Sequence, residues 1–115
     1  MLPDTQATEI TPLALQPLLA DDSDTRIRLI DCREEDEFAL CRIEGAELVP
    51  LSRFAELAPG LLSEETKPIV VYCHHGMRSL NATLFLRQRG IDQVWSLAGG
   101  IDLWSTQVDP AVPRY

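Results

Sequence analysis

Cysteine and basic side chains are both scarce in this chain, and each scarcity excludes something. Three cysteines are an odd number, so a complete disulfide framework is excluded. Free thiols of this kind persist in a reducing compartment. Ten Lys and Arg stand against eighteen Asp and Glu, a net charge of −8, which argues against nucleic acid as a partner because phosphate binding needs basic surface. No apolar run approaches the roughly 20 residues of a membrane-spanning helix. The opening Met1-Leu2-Pro3-Asp4-Thr5-Gln6 carries neither the basic nor the apolar region of a secretory leader. Internal repeats, low-complexity segments and a second domain are also missing. The expectation is a cytoplasmic protein with no nucleic-acid partner and no membrane partner.

What is present is enough for one core. At 115 residues the chain is expected to be a single domain over 1–115, burying roughly 65% of its unfolded surface without help from metals or disulfides. Its charge is unevenly spread. Residues 1–66 hold 15 acids and 5 bases, whereas residues 67–115 hold 3 acids and 5 bases. An anionic small molecule repelled by the whole chain is therefore drawn locally to the second half.

Apolar patterning divides the chain into short strands and helices in alternation. Strands are predicted at 8–10, 28–30, 48–49, 69–72 and 93–97. Helices are predicted at 12–20, opening on Thr11 as N-cap with Pro12 in the first turn and strained by Pro17; at 34–40, with Phe38 as core anchor; at 52–57 and 61–65; at 80–89, ending at Gly90; and at 101–106. Asp21-Asp22-Ser23-Asp24 reads as a polar turn, and the proline-rich tail 108–115 as irregular. Strands and helices alternating at this spacing predict an α/β domain with a parallel sheet covered on both faces. Functional loops of such sheets lie at the carboxyl ends of the strands, where Asp31 and Cys73 both fall.

The segment Cys73-His74-His75-Gly76-Met77-Arg78-Ser79 follows the apolar run Ile69-Val70-Val71-Tyr72 directly. It places a cysteine between a buried strand and a helix. There loop amides and the positive end of the helix dipole both favour thiolate over thiol. Both histidines and Arg78 lie within five residues of that sulfur. The pattern is that of a reactive cysteine in an anion-binding loop; the competing reading is a structural cysteine packed in the core.

Four segments, in order, resemble the rhodanese-like sulfurtransferase family in its small single-domain form. Leu29-Ile30-Asp31-Cys32-Arg33-Glu34 is similar to the family's leucine-isoleucine-aspartate-x-arginine motif. Cys41-Arg42-Ile43-Glu44-Gly45-Ala46 is similar to its glycine-histidine-isoleucine-x-glycine-alanine turn, departing at Cys41 and Arg42 in a segment remote in sequence from the loop. Residues 73–78 resemble its six-residue active loop, and Leu97-Ala98-Gly99-Gly100-Ile101 with Trp104 its carboxyl-terminal element. The resemblance covers about residues 8–107 and implies a five-stranded parallel sheet flanked by helices on both faces. Four residues stand between Cys73 and Arg78, whereas the phosphatases that share this fold have five. The shorter loop suits one sulfur rather than a phosphoryl group.

The resemblance implies sulfane-sulfur transfer from thiosulfate or a persulfide to a thiol, cyanide or protein acceptor through a Cys73 persulfide, with ping-pong kinetics. Cys73 is then the nucleophile and the amides of 74–78 cradle the terminal sulfur. Gly76 permits the curvature of a substrate-binding loop that His74, His75 and Met77 complete, either histidine being a group that lowers the thiol pKa or contacts an acceptor or else an exposed loop residue, and Arg78 orients an anionic donor. Arg78 has a second reading as the partner of a neighbouring acid. Asp31 and Arg33 support the site as an ion pair or cap. Cys32 is either a resolving thiol or a small apolar packing residue, and Trp95 and Trp104 are core residues. Ligands of a structural zinc stand two or more residues apart, so no metal is expected at Cys73-His74-His75, and no cofactor is implied. Pro113-Arg114-Tyr115 resembles the tail of rhodanese domains joined to activating enzymes of sulfur-carrier proteins. A sulfur-relay module serving a protein partner is therefore the alternative function. A regulatory, non-catalytic domain is the third, and the intact cysteine argues against it.

Overall fold

The computed structural model describes residues 2–20, 27–62 and 67–115. Five strands, β1 (Glu9–Ile10), β2 (Arg28–Asp31), β3 (Glu47–Leu48), β4 (Ile69–Tyr72) and β5 (Val94–Leu97), form one parallel sheet in the order β1-β5-β4-β2-β3. The helices are α1 (Pro12–Ala20), α2 (Glu35–Leu40), α3 (Phe54–Leu62), α4 (Met77–Gln88) and α5 (Gly100–Gln107), with a 3-10 turn at Leu51–Arg53 ahead of α3.

The central strand β4 shows why the run 69–72 is apolar at every position. Side chains alternate across a strand, and here both faces are covered. Val70 and Tyr72 pack with Ile10, Leu15, Trp95, Leu97, Ile101 and Trp104, joining α1 and α5 to one face. Ile69 and Val71 pack with Ile30, Phe54, Ala58, Leu62, Ala82 and Leu86, joining α3 and α4 to the other. Parallel sheets need such double cover because their crossovers place helices on both sides. Both tryptophans are core residues.

The helix after Cys73 departs from the sequence expectation. It begins at Met77, three residues before the predicted start, because Gly76 adopts a left-handed conformation (φ +105°) and turns the chain directly into the helix. Arg78 and Ser79 therefore stand in the first turn of α4 rather than in a loop. Phe38 is a second correction. No residue of α2 is buried, and Phe38 is half-covered by the Arg42 guanidinium, 4.4 Å above its ring. The third strand lies one residue earlier than predicted, α1 runs unbroken through Pro17, and α3 extends through Pro59 as one helix. The acidic turn at 21–24 and part of the predicted helix at 61–65 lie outside the described residues.

Candidate active site

Strands β2 and β4 end side by side, with Asp31 in register with Tyr72. The residues that follow, Cys32-Arg33 and Cys73-His74, therefore emerge together at the carboxyl edge of the sheet. The first turn of α5 pins the second pair from above. The Ile101 amide donates to the Cys73 carbonyl at 2.8 Å and the Asp102 amide to the His74 carbonyl at 3.1 Å.

This contact leaves no room at Gly100, which sits at φ +63° with the Cys73 carbonyl oxygen 2.5 Å from where a Cβ would lie and the His74 carbonyl also in contact. Gly100→Ala is therefore expected to destabilise the fold by about 2–5 kcal/mol, combining left-handed strain with overpacking against backbone. Chemical denaturation of the variant checks it.

The Cys73 sulfur is surrounded by donors. The Gly76 amide lies 3.1 Å away and the Ser79 amide 3.4 Å. The Ser79 hydroxyl stands 3.4 Å from the sulfur, 2.7 Å from the Ser96 hydroxyl and 3.2 Å from the Gly76 carbonyl, to which it can also donate. Cys32 lies in the same buried cluster as Cys73, and its thiol is the strongest influence on the Cys73 ionisation. Together these hold the Cys73 thiol well below the ordinary cysteine range. The Cys32 hydrogen bond acts most strongly and burial opposes it; the Ser79 hydroxyl and the Ser79 and Gly76 amides add to the lowering. Cys32 shifts the opposite way, raised by its bond to Cys73 and by burial. The arrangement thus holds one thiolate beside one protonated thiol.

Alkylation of Cys73 by iodoacetamide is expected to stay fast down to acidic pH. Its midpoint lies below pH 7, against about 8.5 for a free cysteine. Cys32→Ala removes the strongest donor and moves that midpoint upward, whereas Cys32→Ser keeps a donor and moves it less. The pH profile of the alkylation rate distinguishes the three proteins.

Arg78 reaches across to α2, where its guanidinium forms a two-pronged pair with Glu37 at 2.7 and 2.9 Å. The pair holds the Glu37 carboxyl down at about 2 against the opposing effect of burial. The same carboxylate accepts from the Tyr115 hydroxyl at 2.7 Å. Arg78 keeps about a third of its side chain exposed, at 34%. Asp31 and Arg33 form a fully buried pair, with Arg33 Nε 3.0 Å from Asp31 Oδ1 and Arg33 Nη2 2.6 Å from Oδ2. Arg33 also donates to the Cys41 carbonyl and to the Tyr115 hydroxyl. The Cys41-Arg42 segment, remote from the loop in sequence, thus adjoins the ion pair in space.

His74 lies between two rings, His75 at 3.9 Å and Tyr115 at 3.8 Å. Burial and the neighbouring His75 lower its pKa, favouring the neutral imidazole. His75 is mostly exposed and faces Asp102 at 3.8 Å, and Met77 is exposed. Of the amides at 74–78, that of Gly76 bonds the sulfur; the second donor is Ser79, beyond that span. Ser79, Ser96, Glu37 and Tyr115 were not identified from sequence. For Ser79 the available signal was its place in the first helical turn after the cysteine. Among the described residues, no three His, Cys, Asp or Glu side chains converge on a common point.

The match to known families decides the family. Residues 13–107 match the model of the rhodanese-like domain. The chain belongs to the rhodanese-like family. This rhodanese-like chain is 32% identical over 111 residues to a probable adenylyltransferase/sulfurtransferase, MoeZ, of Mycobacterium tuberculosis, covering 96% of this chain and 28% of that protein. It is 29% identical over 108 residues to the thiosulfate sulfurtransferase GlpE of Actinobacillus succinogenes, covering 94% of this chain and 93% of that one. Among solved structures, a rhodanese-related protein of Thermoplasma volcanium superposes with a TM-score of 0.78 at 28% identity, covering 94% of this chain and 99% of the other. The human single-domain sulfurtransferase TSTD1 superposes at 0.71 with 31% identity, covering 88% and 97%. The chain spans less than two fifths of the length of the first curated relatives that it matches. No helix among the described residues is long and apolar enough to cross a membrane.

Proposed function

We propose that this rhodanese-like domain is a sulfurtransferase that carries a sulfane sulfur on Cys73 between a thiosulfate or persulfide donor and a nucleophilic acceptor in the cytoplasm. The observation that carries the reading is the Cys73 sulfur, ringed by the Gly76 and Ser79 amides and the Ser79 hydroxyl at the carboxyl end of the central strand. In the first half-reaction the thiolate attacks the outer sulfur of the donor, the donor's S–S bond breaks, and sulfite or a thiolate leaves with the electron pair. Cys73 then holds a persulfide. In the second half-reaction a thiol, cyanide or protein nucleophile attacks the outer sulfur and the Cys73 thiolate leaves. The neighbouring donors stabilise that thiolate both as nucleophile and as leaving group. No general base is required, which fits the neutral, stacked His74.

Cys73 is only 1% exposed, so a terminal sulfur reaches it more readily than a full tetrahedral oxyanion. Arg78, partly exposed in the first turn of α4, offers a cation to the departing or entering anion, and it shares its charge with Glu37. Arg78→Ala is expected to raise KM for thiosulfate roughly tenfold or more with a smaller change in kcat, as loss of one charge-assisted contact of about 1.5–3 kcal/mol requires. A neutral alkyl persulfide should be affected less.

A second reading, a relay module for a protein partner, is favoured by the likeness to MoeZ and by the packing of Tyr115 against His74 beside the site. Intact-protein mass spectrometry after incubation with thiosulfate tests both. Gain of one sulfur by wild type, removed by cyanide as thiocyanate, supports the carrier chemistry. Fast turnover with cyanide or a small thiol in the same sample favours the free enzyme, and slow turnover after efficient loading favours the relay. If neither thiosulfate nor glutathione persulfide adds sulfur to the protein, the sulfurtransferase reading is wrong.

A further inference from the structure

A second thiol stands directly behind the reactive one, and sulfur transfer to an external acceptor gives it no covalent task. Asp31 is in register with Tyr72, and the Cys32 amide donates to the Tyr72 carbonyl at 3.0 Å. The ladder therefore continues one step, and Cys32 and Cys73 are the next facing pair. Facing residues on adjacent strands have Cα atoms about 5 Å apart, within the roughly 4.4–6.8 Å that a disulfide spans. Both side chains turn to the same face of the sheet, into one cluster with Ile30 and Val71, and both are buried, at 0% and 1% exposure. Cys41, the third cysteine, belongs to the cluster on the opposite face. Cys32 approaches Cys73 from β2, whereas the amides that hold the loop side of the sulfur come from Gly76 and the first turn of α4.

We propose that Cys32 resolves the Cys73 persulfide, releasing its outer sulfur as hydrogen sulfide and closing a Cys32–Cys73 disulfide, so that the protein has a second, acceptor-independent activity. The proposal rests on the sulfurtransferase reading. The Cys32 thiol gives up its proton and its sulfur attacks Cys73 Sγ, the inner sulfur of the persulfide. A Cys32–Cys73 bond forms, the inner–outer S–S bond breaks, and the outer sulfur leaves with the electron pair and takes up the proton as HS⁻. The sulfane sulfur is the oxidant and is reduced by two electrons; the two cysteines supply them. A dithiol reductant restores both thiols by ordinary exchange.

The order of events follows from charge. While Cys73 is a thiolate, Cys32 is held as its hydrogen-bond donor and is inert. Once Cys73 carries sulfur, the negative charge moves one atom outward and the reason for keeping the Cys32 proton weakens. Burial still holds the Cys32 thiol protonated, so resolution is the slow branch. It competes with transfer only when acceptor is scarce, and it parks the protein in a form that neither loads nor over-oxidises.

The test uses the full chain. Wild type and Cys32→Ser are loaded with thiosulfate, freed of donor, and held without acceptor in anaerobic buffer. Intact mass, trapped sulfide and non-reducing peptide maps are followed over time. Wild type is expected to lose its extra sulfur with release of one equivalent of sulfide and appearance of a Cys32–Cys73 peptide. Cys32→Ser is expected to keep the sulfur at least about tenfold longer. Persistence of the persulfide in wild type, or sulfide release without the Cys32–Cys73 peptide, overturns the proposal; the wild-type maps decide this even if the variant folds poorly. Loading followed by persistence sinks this branch alone. Failure to load from thiosulfate or glutathione persulfide sinks the sulfurtransferase reading, and the branch with it.

Discussion

Cys73→Ser is expected to take up no sulfur from any donor and to lose turnover by at least about 10³-fold, the scale on which covalent catalysts respond to loss of their nucleophile. A serine hydroxyl remains protonated at neutral pH, and the donors that stabilise a polarisable thiolate cannot lower its pKa far enough. It also offers no sulfur on which an S–S bond can be carried, so the intermediate of the two half-reactions has no counterpart. The structure predicts that this loss comes without unfolding. The smaller oxygen accepts from the Gly76 and Ser79 amides that bond the sulfur, and the carbonyl of residue 73 still receives the Ile101 amide. Intact mass after donor treatment, read beside a thermal melt close to wild type, checks both parts. Residual loading in the variant would move the nucleophile elsewhere.

Asp31→Ala is expected to be the most destabilising single change at the site, lowering stability by about 3–5 kcal/mol because it leaves a buried cation without its counter-ion. Arg33 is completely buried, and both oxygens of Asp31 lie within 3.1 Å of its guanidinium nitrogens. Asp31 Oδ1 also accepts from the Arg33 amide at 2.9 Å, fixing the backbone bend after β2. A loss of that size is a large share of the roughly 5–15 kcal/mol that holds a typical domain together. Replacing both residues, as Asp31→Leu with Arg33→Met, removes the stranded charge and is expected to be much milder than the single change. Urea denaturation of the three proteins tests this. A single variant no less stable than the double would show that Arg33 finds water or another anion in the folded state.

The parts of this molecule legible in its sequence are those fixed by local pattern or continuous burial. The run Ile69–Tyr72 is readable because both faces of the central strand are covered, and Cys73 with Gly76 is readable because a tight turn must join that strand to the next helix. What escapes is whatever depends on residues distant in the chain. Glu37 meets Arg78 across 41 positions and Arg33 meets Tyr115 across 82, and no periodicity marks such partners. Arg78 takes the second of its two sequence readings, paired with an acid, but nothing in the pattern of the chain points to Glu37 as that acid. Phe38 misled for the complementary reason. An aromatic side chain in a short helix suggests a core anchor, but α2 buries no residue, and the Arg42 guanidinium lies over the Phe38 ring instead. Helix α4 starts three residues ahead of its sequence pattern because loop residues and first-turn residues have the same composition when a left-handed glycine leads straight into the helix.

The side-by-side endings of β2 and β4 also bear on how the chain acquires its reactivity. The β4–α4 segment supplies only part of what perturbs Cys73; Cys73 meets Cys32 only after a loop of some 40 residues has closed, and closure of long loops comes late in folding because its entropy must be overcome before any contact repays it. A nascent or unfolded chain therefore carries three ordinary thiols, protonated at neutral pH. Nucleophilicity arrives with the last long-range contacts, so the sulfur is chemically quiet until the structure that controls it is complete. Alkylation at mildly acidic pH would accordingly label native molecules and spare unfolded ones, the reverse of the usual behaviour of buried cysteines.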